Sequence, residues 1–125
     1  MLLLNFAHPL TDEQLAQASN LLDAVLTVQT IPTHVDRQRP LAEVAHEMVN
    51  AVEISPDDWQ TLPIIINPPG LASLALALIA NIHGRAGYFV PMLNIRPEAD
   101  TTPQRFEVAE IINLQHIRDY ARTLR

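Results

Sequence analysis

Leu62-Pro63-Ile64-Ile65-Ile66-Asn67-Pro68-Pro69-Gly70-Leu71 opens the stretch that decides the fold; it continues through an almost wholly apolar segment to His83 and a second apolar run, Tyr88 to Ile95. A short isoleucine run bounded by turn formers suits a buried strand, whereas the thirteen residues from Leu71 to His83, rich in Leu and Ala, suit a helix. Strand, helix, strand is a βαβ unit. Its crossover is right-handed in nearly all cases, so the two strands lie parallel in a sheet covered by helices. Ligands of such sheets bind beyond the carboxyl ends of the strands, which here means Asn67 to Gly70.

The same alternation extends outward. Leu2 to Phe6 is a first apolar run, read as a strand ending near Asn5. Thr11-Asp12-Glu13-Gln14 is a capping box, with Leu10 and Leu15 placed as a hydrophobic staple, so a helix runs from Thr11 to about Leu22 with Leu15, Ala18 and Leu22 on one face. Ala24 to Ile31 alternates as a half-exposed strand closed by Pro32. A polar connection holding His34, Arg37 and Arg39 leads to Pro40, which suits the first turn of a second helix. There Leu41, Val44, Ala45, Met48, Val49 and Val52 recur at helical spacing, opposite Glu43, His46, Glu47 and Asn50. Ser55 caps a further short turn carrying Trp59. Beyond the second strand of the βαβ unit, Arg105 to Ile112 reads as a fifth strand, with Phe106, Val108 and Glu110 facing one way and Glu107, Ala109 and Ile111 the other. Asn113 caps a last helix, Leu114 to Leu124. Pro91 cannot donate to a ladder, so the fourth strand is an edge there or begins after it. The expectation is one α/β domain over residues 1–125, with a mostly parallel sheet of about five strands flanked by helices.

Composition narrows the function. There is no cysteine, which removes disulfides, thiolate nucleophiles and Cys-ligated metals. The eight basic residues are all arginine, so a P-loop lysine, a Schiff base and a lysine general base are excluded. A formal charge of −6 argues against duplex nucleic acid, which needs a spread of positive charge. A small anion held by a few arginines and backbone N–H groups is compatible with it. Met1-Leu2-Leu3-Leu4 lacks a basic leader, and the longest apolar segment falls short of the about 20 residues of a membrane span, so a cytoplasmic protein without a membrane partner is expected.

With all strands parallel, one edge would gather Asn5, Phe6 and His8 after the first strand, Asn67, Pro69 and Gly70 after the third, Arg96 after the fourth and Asn113 after the fifth. Helix N-termini at that edge would add unpaired N–H groups suited to a phosphate-bearing ligand. Each residue also has a plainer role: Asn5 and Asn67 can bond their own turns, Gly70 can permit a left-handed turn, His8 can be a loop residue and Arg96 can pair with Glu98. Ser73, Ala77, Ala80, Asn81 and Gly84 make a stripe of small residues on the apolar helix, which suits a two-fold dimer interface; the alternative is burial under neighbouring loops. Arg85 falls at the opposite end of the sheet, where it would pair with a carboxylate or reach a ligand held by a second dimer. The histidines at 8, 34, 46, 83 and 116 show no i, i+4 pair, so no metal or other cofactor is expected, and no Gly-x-Ser-x-Gly elbow occurs.

Leu3-Leu4-Asn5-Phe6-Ala7-His8-Pro9-Leu10-Thr11, Trp59-Gln60-Thr61-Leu62-Pro63 running into Asn67-Pro68-Pro69-Gly70-Leu71, His83-Gly84-Arg85-Ala86-Gly87-Tyr88-Phe89, and Arg105-Phe106-Glu107-Val108-Ala109-Glu110-Ile111-Ile112-Asn113-Leu114-Gln115 together resemble a known family: the small Csx-fifteen accessory proteins of type III CRISPR systems. The resemblance covers essentially the whole chain and rests on the joint order of these segments. It implies a Rossmann-like domain related to the CARF sensors, a homodimer, and a cyclic oligoadenylate ligand, foremost cyclic tetra-adenylate. If Arg85 takes part, its place at the opposite end of the sheet implies a second dimer sandwiching the ligand and so a ligand-bridged chain of dimers. Ring nucleases of related fold cleave such ligands without metal, by aligning a ribose 2′-hydroxyl with its phosphate. Only His8 and Arg96 could serve that chemistry here, so the expectation is a protein that sequesters the messenger and has no catalytic residue. A slow ring nuclease using His8 and Arg96 is the alternative, and a structural subunit that binds no ligand the second.

Overall fold

The computed structural model describes residues 1–32, 35–36 and 38–125. His34 and Arg37 of the polar connection lie outside the described residues. The elements are β1 (Leu2–Asn5), α1 (Asp12–Leu22), β2 (Thr27–Thr30), α2 (Leu41–Asn50), α3 (Pro56–Thr61), β3 (Ile64–Asn67), α4 (Ala72–Ala86), β4 (Met92–Pro97), β5 (Phe106–Ile112) and α5 (Leu114–Arg122). They build the expected α/β domain, Rossmann-like, around one five-stranded sheet of order β2-β1-β3-β4-β5.

The alternation of each strand sorts its side chains between two cores. Leu4, Ile64 and Ile66 point to one face, where they meet Val44, Val49, Trp59, Leu74, Leu78 and Ile82 from α2, α3 and α4. Leu3, Ile65, Leu93 and Val108 point to the other, where α1 covers them with Ala18, Leu15 and Leu22. β1 and β3 are therefore buried on both faces and read as continuous apolar runs, while β2 at the edge is largely exposed.

Local signals set the helix starts. Thr11 Oγ1 accepts from Gln14 N–H at 3.1 Å while Gln14 Oε1 accepts from Thr11 N–H at 3.0 Å, closing the predicted capping box. Ser55 with Asp58 and Asn113 with His116 cap α3 and α5 in the same manner of side chain to backbone. α4 runs three residues past the expected His83, to Ala86, and stops where Gly87 takes a left-handed φ of 83°. The Gly84-Arg85 step thus belongs to the helix, and Phe89 folds back on the His83 ring with centroids 4.2 Å apart.

The fourth strand takes the second of its two expected placements, after Pro91, and the direction of the fifth needs correction. Tyr88 to Val90 is not strand: β4 begins at Met92, after Pro91, whose carbonyl accepts from Ile66 N–H at 3.0 Å. Proline can accept from a neighbouring strand but cannot donate to it, so it stands at the threshold of β4. β5 is antiparallel to β4, with Met92 opposite Ile112 and Pro97 opposite Phe106. A register shift at Asn94/Ile95 leaves Ala109 as an extra residue, so Val108 and Ile111 share the α1 face, and the strict alternation expected along this strand fails.

Candidate functional site: a cleft between the first and third strands

In an open sheet of order 2-1-3-4-5 the chain turns opposite ways from β1 and from β3, and the gap beyond their carboxyl ends is the switch point. Asn5 and Asn67 are the last residues of those two strands and sit opposite each other in the parallel register. Both are buried, at 0% and 5% exposure. Asn67 Nδ2 donates to Asn5 Oδ1 at 2.9 Å. Asn5 Oδ1 also accepts from Ala7 N–H, and Asn5 Nδ2 donates to the His8 carbonyl at 2.9 Å. This clasp fixes the β1 turn and joins it to the β3 turn. The plainer role foreseen for Asn5 is the observed one, and the same bonds shape the site's floor.

Above that floor opens a cleft of about 800 Å³, within the range of ordinary small-molecule sites. His8 to Leu10 form one wall, Asn67 to Leu71 the second, and Met92 to Ile95 of β4 with Phe106 the third. Phe6 lines it from below but is fully buried, so its larger role is in the core. α4 begins beside this cleft, whose lining includes Gly70, Leu71 and Leu74, and like α2 it has no side-chain cap, so its first N–H groups are not taken up by a capping side chain. Gly70 does not take the left-handed conformation; among the described glycines Gly87 alone has positive φ. A Cβ at Gly70 would meet nothing within 4 Å, so its place in the wall is open space.

The remaining expected residues divide. Asn113 is corrected outright: because β5 runs antiparallel, its carboxyl end lies at the base of the sheet, and Asn113 caps α5 there by accepting from His116 N–H. Arg96 is at the right edge but outside the cleft lining, half-paired at 3.5 Å with Glu107, its cross-strand neighbour, rather than with Glu98. Arg85 is at the opposite end, as expected, where it donates to Asn81 Oδ1 at 2.9 Å and lies 3.4 Å from His46 Nδ1. His8 is exposed and is the one titratable side chain in the cleft lining among the described residues. Sequence reasoning missed Phe106 and Asn94, which the antiparallel return of β5 and the late start of β4 bring to the site. The signal was present: no helix separates the fourth and fifth strands, and a parallel crossover needs a dozen or more residues, usually helical.

No group of three or more His, Asp or Glu side chains suited to a metal occurs among the described residues. No described helix is long and apolar enough to cross a membrane. Fold and cleft together define a Rossmann-like α/β domain with a preformed pocket at its switch point. Comparison with protein-family models, with curated proteins and with solved structures finds no match to this chain.

Proposed function

We propose that the chain binds a cyclic oligoadenylate, foremost cyclic tetra-adenylate, and holds it without fast cleavage, damping type III CRISPR antiviral signalling as a sponge. The observation that carries the reading is the cleft at the β1/β3 switch point, with side-chain amides and apolar surface in its lining and His8 as its lone titratable side chain among the described residues. Uncapped N–H groups at the start of α4 suit a phosphate, and the apolar walls suit a nucleobase. Metal-free cleavage needs groups that orient the 2′-hydroxyl and stabilise the phosphorane. Arg96, the cation expected to do the second, lies outside the lining.

The symmetric ligand would lie across two protomers. Of the expected stripe, Ser73, Ala80 and Gly84 are exposed and with Leu76 form an uncharged strip along α4, while Ala77 packs against the core and Asn81 accepts from Arg85; the strip is the surface through which a two-fold pair would bring its clefts side by side. Sequestration requires sub-micromolar affinity, about −8 kcal/mol or better. A second reading, slow ring cleavage, draws on the presence of His8 in the lining.

The test mixes excess protein with cyclic tetra-adenylate, separates the complex by size-exclusion chromatography and analyses the extracted ligand by liquid chromatography. Intact ligand in the protein peak supports the sponge. Linear di- or tetra-adenylate replaces it with the ring nuclease, and ligand eluting free and unchanged overturns both.

A further inference from the structure

Phe106 is 52% exposed, although it alternates with Val108 on the face of β5 that packs against α1, where Val108 itself is 5% exposed. Single exposed apolar side chains are common and need no function. Phe106 differs in where it stands and how it is held. It lines the cleft at the wall facing the His8 to Leu10 turn. Its carbonyl accepts from Gln14 Nε2 at 3.1 Å, while the other end of that amide accepts from Thr11 N–H in the capping box of α1. Two residues on, Val108 N–H donates to Gln17 Oε1 at 2.8 Å. Two glutamines from successive turns of α1 therefore pin the start of β5 and fix the backbone that presents the ring. Gln14, though it lines the cleft, acts as a brace through both ends of its amide.

A half-exposed phenyl ring in a cleft lined besides by amides, proline rings, aliphatic groups and the His8 imidazole, with Phe6 buried beneath, suits one chemistry above others: the flat face of a purine, which stacks on an aromatic ring whatever its hydrogen-bonding edge. We infer that Phe106 is the base-stacking platform of the cleft and takes the face of one adenine of the bound ring, a role that rests on the cyclic oligoadenylate reading proposed above. Phe106 is then a positioning residue: it orients the base and leaves phosphate contacts to the α4 N-terminus.

The experiment titrates cyclic tetra-adenylate by isothermal calorimetry into the wild type and into Phe106→Ala, Phe106→Leu and Phe106→Trp. Stacking is worth enough per base that Phe106→Ala should weaken binding about five- to 150-fold. Phe106→Leu, which keeps an apolar side chain without a π face, should lose most of the same factor. Phe106→Trp should stay within about threefold of the wild type, with its added indole fluorescence quenched on binding, over a background of the single buried Trp59. Wild-type binding with Phe106→Ala or Phe106→Leu unchanged within about twofold overturns the stacking role and leaves the ligand reading intact. A change in the elution volume of Phe106→Ala in the absence of ligand makes the ring an assembly contact and overturns it too. Failure of the wild type itself to bind overturns the ligand reading, and the adenine platform falls with it.

Discussion

Asn5 and Asn67 show how a residue that ends a strand can also define a site. A buried amide left unpaired costs more than a bond gains, so two asparagines at 0% and 5% exposure persist because each answers the other. The choice between a turn-forming and a ligand-facing amide was open in the sequence because both roles use the same residue type at the same place. Only the parallel register, which sets the two opposite each other, decides it. The caps Thr11, Ser55 and Asn113 were legible because capping is local in sequence, whereas the partner of Arg96 was not, because Glu107 comes beside it only through antiparallel pairing. The glycines separate by the same kind of local test. Gly87 has φ 83°, so Gly87→Ala should destabilise the fold by about 1–2 kcal/mol in urea denaturation. Gly70→Ala meets open space without positive φ and should stay within about 0.5 kcal/mol of the wild type. Equal effects of the two substitutions would refute the distinction.

At the scale of elements, β5 accounts for most of what the sequence left hidden. Its existence and extent follow from its apolar content, but its direction follows from the connection, the eight residues from Glu98 to Arg105, which can return the chain but cannot carry it across the sheet. That one reversal moves Asn113 to the base and brings Phe106 to the cleft. α2 offers a separate test, in electrostatics. Arg39, just before the helix, chelates Glu47 on its exposed face, with Arg39 Nη1 donating to Glu47 Oε2 at 2.9 Å. The hydrogen bond from Arg39 is the main reason the Glu47 carboxyl is held below its usual range, and Arg39 is held correspondingly above its own. A depressed carboxylate contributes stability above its ordinary pKa, and that contribution fades as pH falls through the folded-state value. Arg39→Ala should therefore shift the Glu47 titration upward toward the ordinary glutamate range, followed by carboxyl chemical shifts in NMR. An unmoved midpoint would show that the pair does not persist in solution.

For the whole molecule, the fold class was legible because strand, helix and turn signals agreed along the chain, and the strand order 2-1-3-4-5 then located the cleft. What no single element reveals is why α4, the most apolar helix, leaves a strip uncovered. Leu76 is 69% exposed on that strip, beside Ser73 and Ala80, where a second protomer could cover it. If the strip pairs two protomers, Leu76→Arg should convert a dimeric elution volume to a monomeric one in size-exclusion chromatography with light scattering, while the melting temperature of the monomer is preserved. Identical masses for variant and wild type would remove α4 from the interface. The sandwiching of β1 and β3 between neighbours on both sides also sets a clock. Amides of Leu4 and Ile65, hydrogen-bonded within the sheet and covered on both faces, exchange with deuterium only when the fold opens as a whole, whereas turns open locally. A ligand entering the cleft thus lands on a floor whose exchange is already as slow as the molecule permits. Its arrival should register as slowed exchange in the two turns that flank it, Ala7 to Leu10 and Pro68 to Leu71, so those peptides would report occupancy of the cleft in time as directly as a contact reports it in space.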